Sequence, residues 1–474
     1  MQLNSIFSYN HNKKNDTLKI SKKLVNFLTD YSSNKSLNPI YKDLSYLTGV
    51  PIEVIKNETK QIMCRSFLWK NGNFPNYFRI NKIIKYFFIY AGFTLLHLLS
   101  FFIISKKKKK YDLICDNVFN QLDVDRYSRI TKKFKKICFL GSYKYNYKNK
   151  NKVIEVLNVK NFQAGCTDYP FSKRISLFLL LFKIFKISIR EKVNLLYVFN
   201  LVVYKILKNN SIYKKISSKY YITQKFYATS PVHNFFFKKS GGKITTSTQK
   251  NLFQFSLSCF IFIDTMFTLG YGQGNICNKL GGKVNFFKPV GSLFMENAWF
   301  KKKKDLKNIS KTNILILGIN TELNDRHHIN KDYVITYYKF LNWIKLTSQK
   351  FPNKKIQVKH HNDKIPDPRE IEILKNTNIK ILTQDKSDNT SYANAYKSDL
   401  SLAFGSTMIL ELLGHGKRCF YIDPSFKNNN FYHDIKYLKD YRIHSYKKLL
   451  QIINKKNPVK SKHKKYFCLN SRNT

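Results

Sequence analysis

The chain has 474 residues, enough for two or three domains, and a hydrophobic fraction of 43% excludes disorder throughout. Lysine and arginine number 84 against 29 acids, and the resulting +55 points to anionic partners: nucleic acid, acidic lipid or phosphorylated metabolites. The lysines are spread along the whole chain, so a lysine-biased composition without a specific partner fits the same numbers. The cysteines form no CxxC pair, and Cys64, Cys115, Cys138, Cys259 and Cys419 lie in or beside apolar runs, as buried thiols in a reducing cytoplasm do. Residues 1–16 are polar and lack the apolar core of a secretory signal.

Residues 1–80 read as mixed helix and loop, with a turn-rich stretch at 71–78 (NGNFPNYF). Tyr86 to Ser105 is uncharged over its whole length, preceded by Lys82 and Lys85 and followed by Lys106 to Lys110. It reaches the ~20 residues that span a bilayer, and the flanking lysines suit anionic headgroups. A spanning helix, a helix lying in one leaflet and a buried core helix all fit. The chain continues as a cytoplasmic-type fold that needs no crossing, which favours shallow association. A second apolar stretch, Arg174 to Arg190, sets Arg174, Lys183, Lys186 and Arg190 around an apolar body. It suits a lipid surface, or equally a core helix with solvated lysines.

From Tyr111 the pattern turns to strand, helix and strand: YDLICDNV, VDRYSRITKKFKK and ICFLGSY. Further strands are predicted at 219–223, 242–247 and 257–264. Lys283 to Ser292 ends this half, and residues 300–312 are a charged linker. The last part alternates regularly. Strands are predicted at 313–319, 355–361, 379–384, 399–404 and 418–423, with helices at 331–349, 367–376, 390–397 and 407–414 between them. This alternation predicts a doubly wound parallel sheet.

Ligands of such sheets bind outside the carboxyl ends of the strands. His360 and His361 end one strand there. Gly405, Ser406 and Thr407 end another and open a helix, and Glu411 lies one turn into it, on the face of Thr407. A nucleotide diphosphate suits this set. A helix N-terminus attracts phosphate, Gly405 permits close backbone approach, and the two hydroxyls and a histidine donate to phosphate oxygens. An ionised carboxylate accepts from ribose hydroxyls. Taken singly, each feature has a plainer reading: a helix cap, a solvent-facing glutamate, loop histidines. Their joint spacing across successive β-α units favours the site.

These residues resemble a family. DLSLAFGSTMILELLGHGKRCFYIDP (Asp399 to Pro424) is similar to the C-terminal nucleotide-binding segment of GT-B glycosyltransferases, most of all bacterial surface-carbohydrate and capsule enzymes. KIQVKHH resembles their strand ending in His-Pro, and KPVGSLF followed by NILILGI resembles their interdomain crossing. His233 to Gln249 resembles the first-domain region near the acceptor cleft. The resemblance is good from Lys283 to Asp423 and weaker from Tyr111 to Gln249, and it does not include residues 1–80. It departs at His361, where proline is usual, which leaves open which histidine acts, and at Arg418, where proline follows Gly-Lys.

The resemblance implies an α/β fold of two Rossmann-like domains (GT-B type) facing across a cleft, with an N-terminal mainly helical extension. The expected domains are 1–110, with a membrane-associating segment at 86–105; 111–299 for the acceptor; and 300–474 for the donor. The implied activity is transfer of a sugar from a nucleotide-sugar to a cell-surface polysaccharide or lipid-linked glycan. The implied place is the cytoplasm, peripheral or monotopic on the inner membrane's anionic cytoplasmic face. The nucleotide-sugar is a co-substrate, and no cofactor or metal is expected. Ser406 and Thr407 would hold phosphate, Glu411 the ribose, and His360 phosphate or base. The general base would come from the first domain, with Asp116, Asp123 and His233 as candidates. Asp123 to Asp125 (DVD) is read as preceding a helix, solvated or capping, rather than as a metal dyad. Two other functions stay open. A sugar-nucleotide 2-epimerase shares the fold, but the first half is short of acids. A basic nucleic-acid-binding protein fits the charge, but no zinc finger, RRM signature or clear helix-turn-helix is present, so no specific nucleic-acid partner is expected.

Overall fold

The computed structural model describes residues 17–69, 80–99, 108–141, 153–158, 169–249 (save 225, 227 and 228), 259–296 (save 273), 312–319, 331–360, 366–382, 389–424, 437–455 and 458–470. Two all-parallel sheets organise them. The first has the spatial order Val153–Asn158 (β3), Lys136–Gly141 (β2), Lys109–Val118 (β1), Ile216–Thr223 (β4), Ile244–Thr248 (β5), Phe262–Thr268 (β6) and Lys283–Pro289 (β7). The second runs Lys380–Ile381 (β10), Ile356–Lys359 (β9), Thr312–Leu317 (β8), Ser398–Ala403 (β11), Cys419–Ile422 (β12) and Arg442–Ile443 (β13). Every strand pair is parallel. Strand order reverses once in each sheet, between β1 and β4 and between β8 and β11, and such switch points are where open α/β sheets bind ligands. Two Rossmann-like units of this kind define a GT-B-type α/β architecture.

The apolar runs explain the buried strands. Ile314 to Leu317 of β8 and Cys419 to Ile422 of β12 are buried without alternation, as in a parallel sheet covered on both faces. Helix Lys331–Lys350 buries Tyr337, Phe340, Leu341 and Ile344, an i, i+3, i+4, i+7 stripe. Helix Pro231–Lys239 starts at an N-capping Ser230 with proline in its first turn.

Several predicted boundaries move. The strand expected at 257–264 begins at Phe262, because Cys259 and Phe260 form a turn in which Phe260 takes φ 57°. The strand expected at 379–384 has two paired residues, Lys380 and Ile381. β9 stops at Lys359, so His360 is the first residue beyond it, while His361 lies outside the described residues. The DVD stretch does not precede a helix. Asn120 caps helix Gln121–Thr131, and Asp123 stands buried in its first turn. The charged linker expected at 300–312 falls outside the described residues up to 311.

The N-terminal helices Thr17–Ser32, Asn38–Thr48 and Ile52–Trp69 share one hydrophobic cluster with the first sheet. Glu58 is fully buried there, paired with Lys205 and accepting from the Ser230 hydroxyl and the Val232 N–H. The apolar segment expected at 86–105 lies partly in helix Ile80–Leu99, and residues 100–105 are outside the described set. This helix lies against helix Phe171–Arg190: the Phe87 ring meets those of Phe182 at 5.7 Å and Phe185 at 5.4 Å, and the Tyr90 hydroxyl donates to the Leu177 carbonyl at 3.1 Å. Arg174 is not one of the surface cations of its helix. It is buried and donates to the carbonyls of His97 and Tyr169.

The two sheets are tied twice. Residues 290–296 lead out of β7 toward the second sheet. Helix Ser461–Phe467 and the residues after it return to the first, where Leu469 N–H donates to Leu269 O at 2.8 Å and Gly272 N–H to Tyr466 O at 3.1 Å. A Cβ at Gly270 would stand 2.4 Å from the Tyr466 carbonyl oxygen, so this crossing requires glycine there.

Candidate functional site at the two switch points

The second sheet's switch point gathers most of the predicted nucleotide-binding residues. Gly318 is the first residue beyond β8, and its absent side chain leaves room for the His360 imidazole: a Cβ there would lie 2.5 Å from its Cε1. His360 is buried and hydrogen-bonded through Nε2 to Glu370 at 2.8 Å. Across the reversal, β11 leads into Gly405, Ser406 and Thr407, which are part-exposed. The Ser406 carbonyl accepts from the Tyr421 hydroxyl at 2.6 Å, which pins this turn to β12. The Thr407 side chain makes no capping bond. The helix that follows, Met408–Gly414, has seven residues, close to the expected 407–414, and a helix this short carries a modest dipole.

Glu411 is buried on that helix, and its partners are hydroxyls. Ser292, from the segment leaving the first sheet, donates to Oε1, and Tyr392 donates at 3.0 Å to Oε2. Burial pushes the Glu411 carboxyl up to about 7, against the opposing pull of Ser292 and Tyr392. A carboxyl that holds only hydroxyl donors is chemically suited to a diol.

The first sheet's switch point holds another polar set. Asp116, part-exposed at the end of β1, accepts from the Asn117 N–H at 2.7 Å and the Tyr221 hydroxyl at 2.7 Å. Asn117 takes φ 61°, a left-handed conformation that breaks the register of β1. Its amide bridges the crevice to the Thr223 hydroxyl of β4 at 2.9 Å. Asp123 accepts from Phe119 N–H, Arg126 and Gln224, at 2.9, 2.9 and 2.7 Å. Its carboxylate is therefore saturated. His233 is held on both ring nitrogens, by the Tyr213 hydroxyl at 2.7 Å and the Asn209 side chain at 3.0 Å. Burial pushes its imidazole down to about 4, against Asp116 and Glu58. Of the three first-domain candidates, Asp116 alone combines exposure with a strand-end position. Among the described residues no three His, Cys, Asp or Glu side chains cluster to hold a metal ion.

The sequence reading missed Glu370, Ser292 and Tyr392. Glu370 carried a signal, standing three residues after a helix-capping Asp367, but that spacing announces a cap and not a histidine partner. Ser292 and Tyr392 meet Glu411 only through the fold, 119 and 19 residues away in sequence.

No protein-family model and no curated protein matches the chain. Among solved structures, the chain is similar to the wall teichoic acid polymerase TagF, at 9% identity over 79% of this chain and 87% of that one, with a TM-score of 0.42. It is also similar to the UDP-GlcNAc 2-epimerase from Methanocaldococcus jannaschii, at 12% identity over 74% and 94%, with a TM-score of 0.39. A third is S. aureus MnaA with UDP, at 9% identity over 65% and 78%, with a TM-score of 0.37. A likeness of this strength assigns no activity, and the architecture rests on the strand order given above.

Proposed function

We propose that the protein is a nucleotide-sugar-dependent glycosyltransferase acting on a surface polysaccharide or lipid-linked glycan. One observation carries this reading. At the β8/β11 switch point a buried imidazole follows β9 beside the glycine that admits it after β8, and a buried carboxyl with hydroxyl partners lies on the helix that follows β11. The donor's phosphates lie against the backbone of Gly405 to Thr407 and against His360. Ribose hydroxyls replace Ser292 and Tyr392 as donors to Glu411. Asp116 takes the proton of the acceptor hydroxyl, whose oxygen bonds to the anomeric carbon as the sugar–phosphate bond breaks. The nucleotide leaves as an anion, stabilised by His360. Asp123 and His233 hold the first-domain site in shape.

The same reading places the protein on the cytoplasmic face of a membrane. Helices Ile80–Leu99 and Phe171–Arg190 turn apolar stripes outward: Ile84, Phe88, Leu95 and Leu99 on one, Phe171, Ile175, Leu179 and Phe182 on the other. Phe88 is 67% exposed and Leu99 66%. Exposed Lys82, Lys85 and Lys186 stand on the same two helices, so apolar insertion and anionic headgroups are served together. A lipid-linked acceptor makes this placement useful.

Incubation with a panel of labelled nucleotide-sugars, with and without a lipid-linked glycan extract, tests the reaction. Acceptor-dependent release of the nucleotide supports transfer. A donor altered at its sugar without any acceptor identifies an epimerase instead.

A further inference from the structure

His360 has a partner that no motif announces. Its Nε2 lies 2.8 Å from Glu370 Oε1, with side-chain exposures of 1% and 0%. Glu370 is the third residue of helix Pro368–Leu374, and its N–H is capped by Asp367 at 2.8 Å. A glutamate at this place commonly turns back to cap the helix start. Here its side chain is directed inward, where the Tyr337 hydroxyl also donates to Oε1 at 3.2 Å. His360 Nδ1 has no hydrogen-bond partner among the described residues, and neither has Glu370 Oε2. Nδ1 lies beside Gly318 at the β8 end: a Cβ there would be 2.6 Å from it. A buried ring nitrogen without a partner is destabilising, and such an atom calls for a ligand, a water or a functional reason.

We propose that Glu370 is a positioning residue for anion binding by His360: it fixes Nε2 as a hydrogen-bearing nitrogen and leaves Nδ1 to meet a phosphate oxygen of the nucleotide. This inference rests on the reading of the β8/β11 crevice as a nucleotide site. The chemistry requires a proton. A neutral ring that donates through Nε2 offers a lone pair at Nδ1, which repels a phosphate oxygen. An imidazolium donates through both nitrogens, so the ring that meets a phosphate oxygen is the protonated one, and Glu370 balances its charge in a place closed to water. The titratable and charged groups that the described elements bring to this pair are Asp367 on the helix of Glu370 and Tyr337 on helix Lys331–Lys350, and Lys359, the residue before His360, is buried on β9. The direct bond to the ring is that of Glu370.

Calorimetric titration with UDP, CDP, GDP, CMP and their nucleosides tests this. The native protein should bind at least one of the nucleotides more tightly than its nucleoside. Glu370→Gln should weaken binding of that nucleotide by about tenfold or more and leave the nucleoside unchanged, and Glu370→Asp should restore part of the affinity. His360→Gln should show the same losses, which keeps the test decisive if Glu370→Gln does not fold. Native-like nucleotide affinity in a folded Glu370→Gln would overturn this inference alone. Equal loss of nucleotide and nucleoside would also overturn it, as a purely structural role. A native protein that binds none of the nucleotides would remove the proposed function, and this inference with it.

Discussion

The Ser292 hydroxyl, on the segment that leaves the first sheet, donates to the buried carboxyl of Glu411 in the second. The bond joins the two halves of the molecule at the crevice where the nucleotide is proposed to lie. Burial holds Glu411 at about 7, above the ordinary 4.5 of an unfolded chain. Between these values the folded protein keeps a proton that the unfolded chain has released. Stability from this group is therefore full below pH 4.5 and declines as pH rises to about 7. The decline is roughly 3 kcal/mol. Urea midpoints across this range should show it as a difference between native protein and Glu411→Gln, which lacks the slope. Parallel profiles for the two proteins would contradict it.

His233 works in the opposite sense. Its imidazole sits at about 4 in the fold against 6.5 in an unfolded chain. As pH falls through that window the unfolded chain takes a proton that the buried ring refuses, and stability falls by roughly 3 kcal/mol. His233→Gln should flatten this acid limb and lower overall stability. Turnover per folded molecule should survive, because both ring nitrogens serve the structure. A folded variant without turnover would return His233 to the list of bases.

Asp116→Asn should behave differently. It keeps the size of the side chain but removes the proton acceptor at the β1 strand end. The transfer rate should fall by about 10²–10⁴-fold while nucleotide affinity stays native. A variant with unaltered turnover would remove Asp116 from the mechanism.

Sedimentation with vesicles tests the paired helices. Native protein should pellet with anionic vesicles, less so at high salt. Phe88→Glu together with Leu179→Glu should return it to the supernatant without unfolding, because both side chains are exposed, at 67% and 54%. Equal pelleting of native and variant would place the lipid contact elsewhere.

The alternation of apolar runs and helical stripes made the second sheet readable, since strands such as β8 and β11 bury runs of consecutive residues, Ile314 to Leu317 and Leu400 to Ala403. The exact span of β6 was not readable, because the apolar run from Leu257 continues through a turn at Phe260 that only tertiary packing imposes. Hydropathy also did not announce the buried face of Ile80–Leu99, because that face carries Tyr90, Thr94 and His97 while the more apolar Phe88, Leu95 and Leu99 are exposed. In the site, Gly405 to Glu411 follow from local spacing. The partners of Glu411 and His360 depend on which strands become neighbours, and spacing along the chain does not encode that.

The most direct test of the account is a crystal structure of the protein with the nucleotide that binds it best. The account predicts phosphate density against Gly405 to Thr407 and His360, with the pentose at Glu411 in place of the Ser292 and Tyr392 hydroxyls. Nucleotide seated at the β1/β4 crevice, or away from both imidazole and carboxyl, would contradict it.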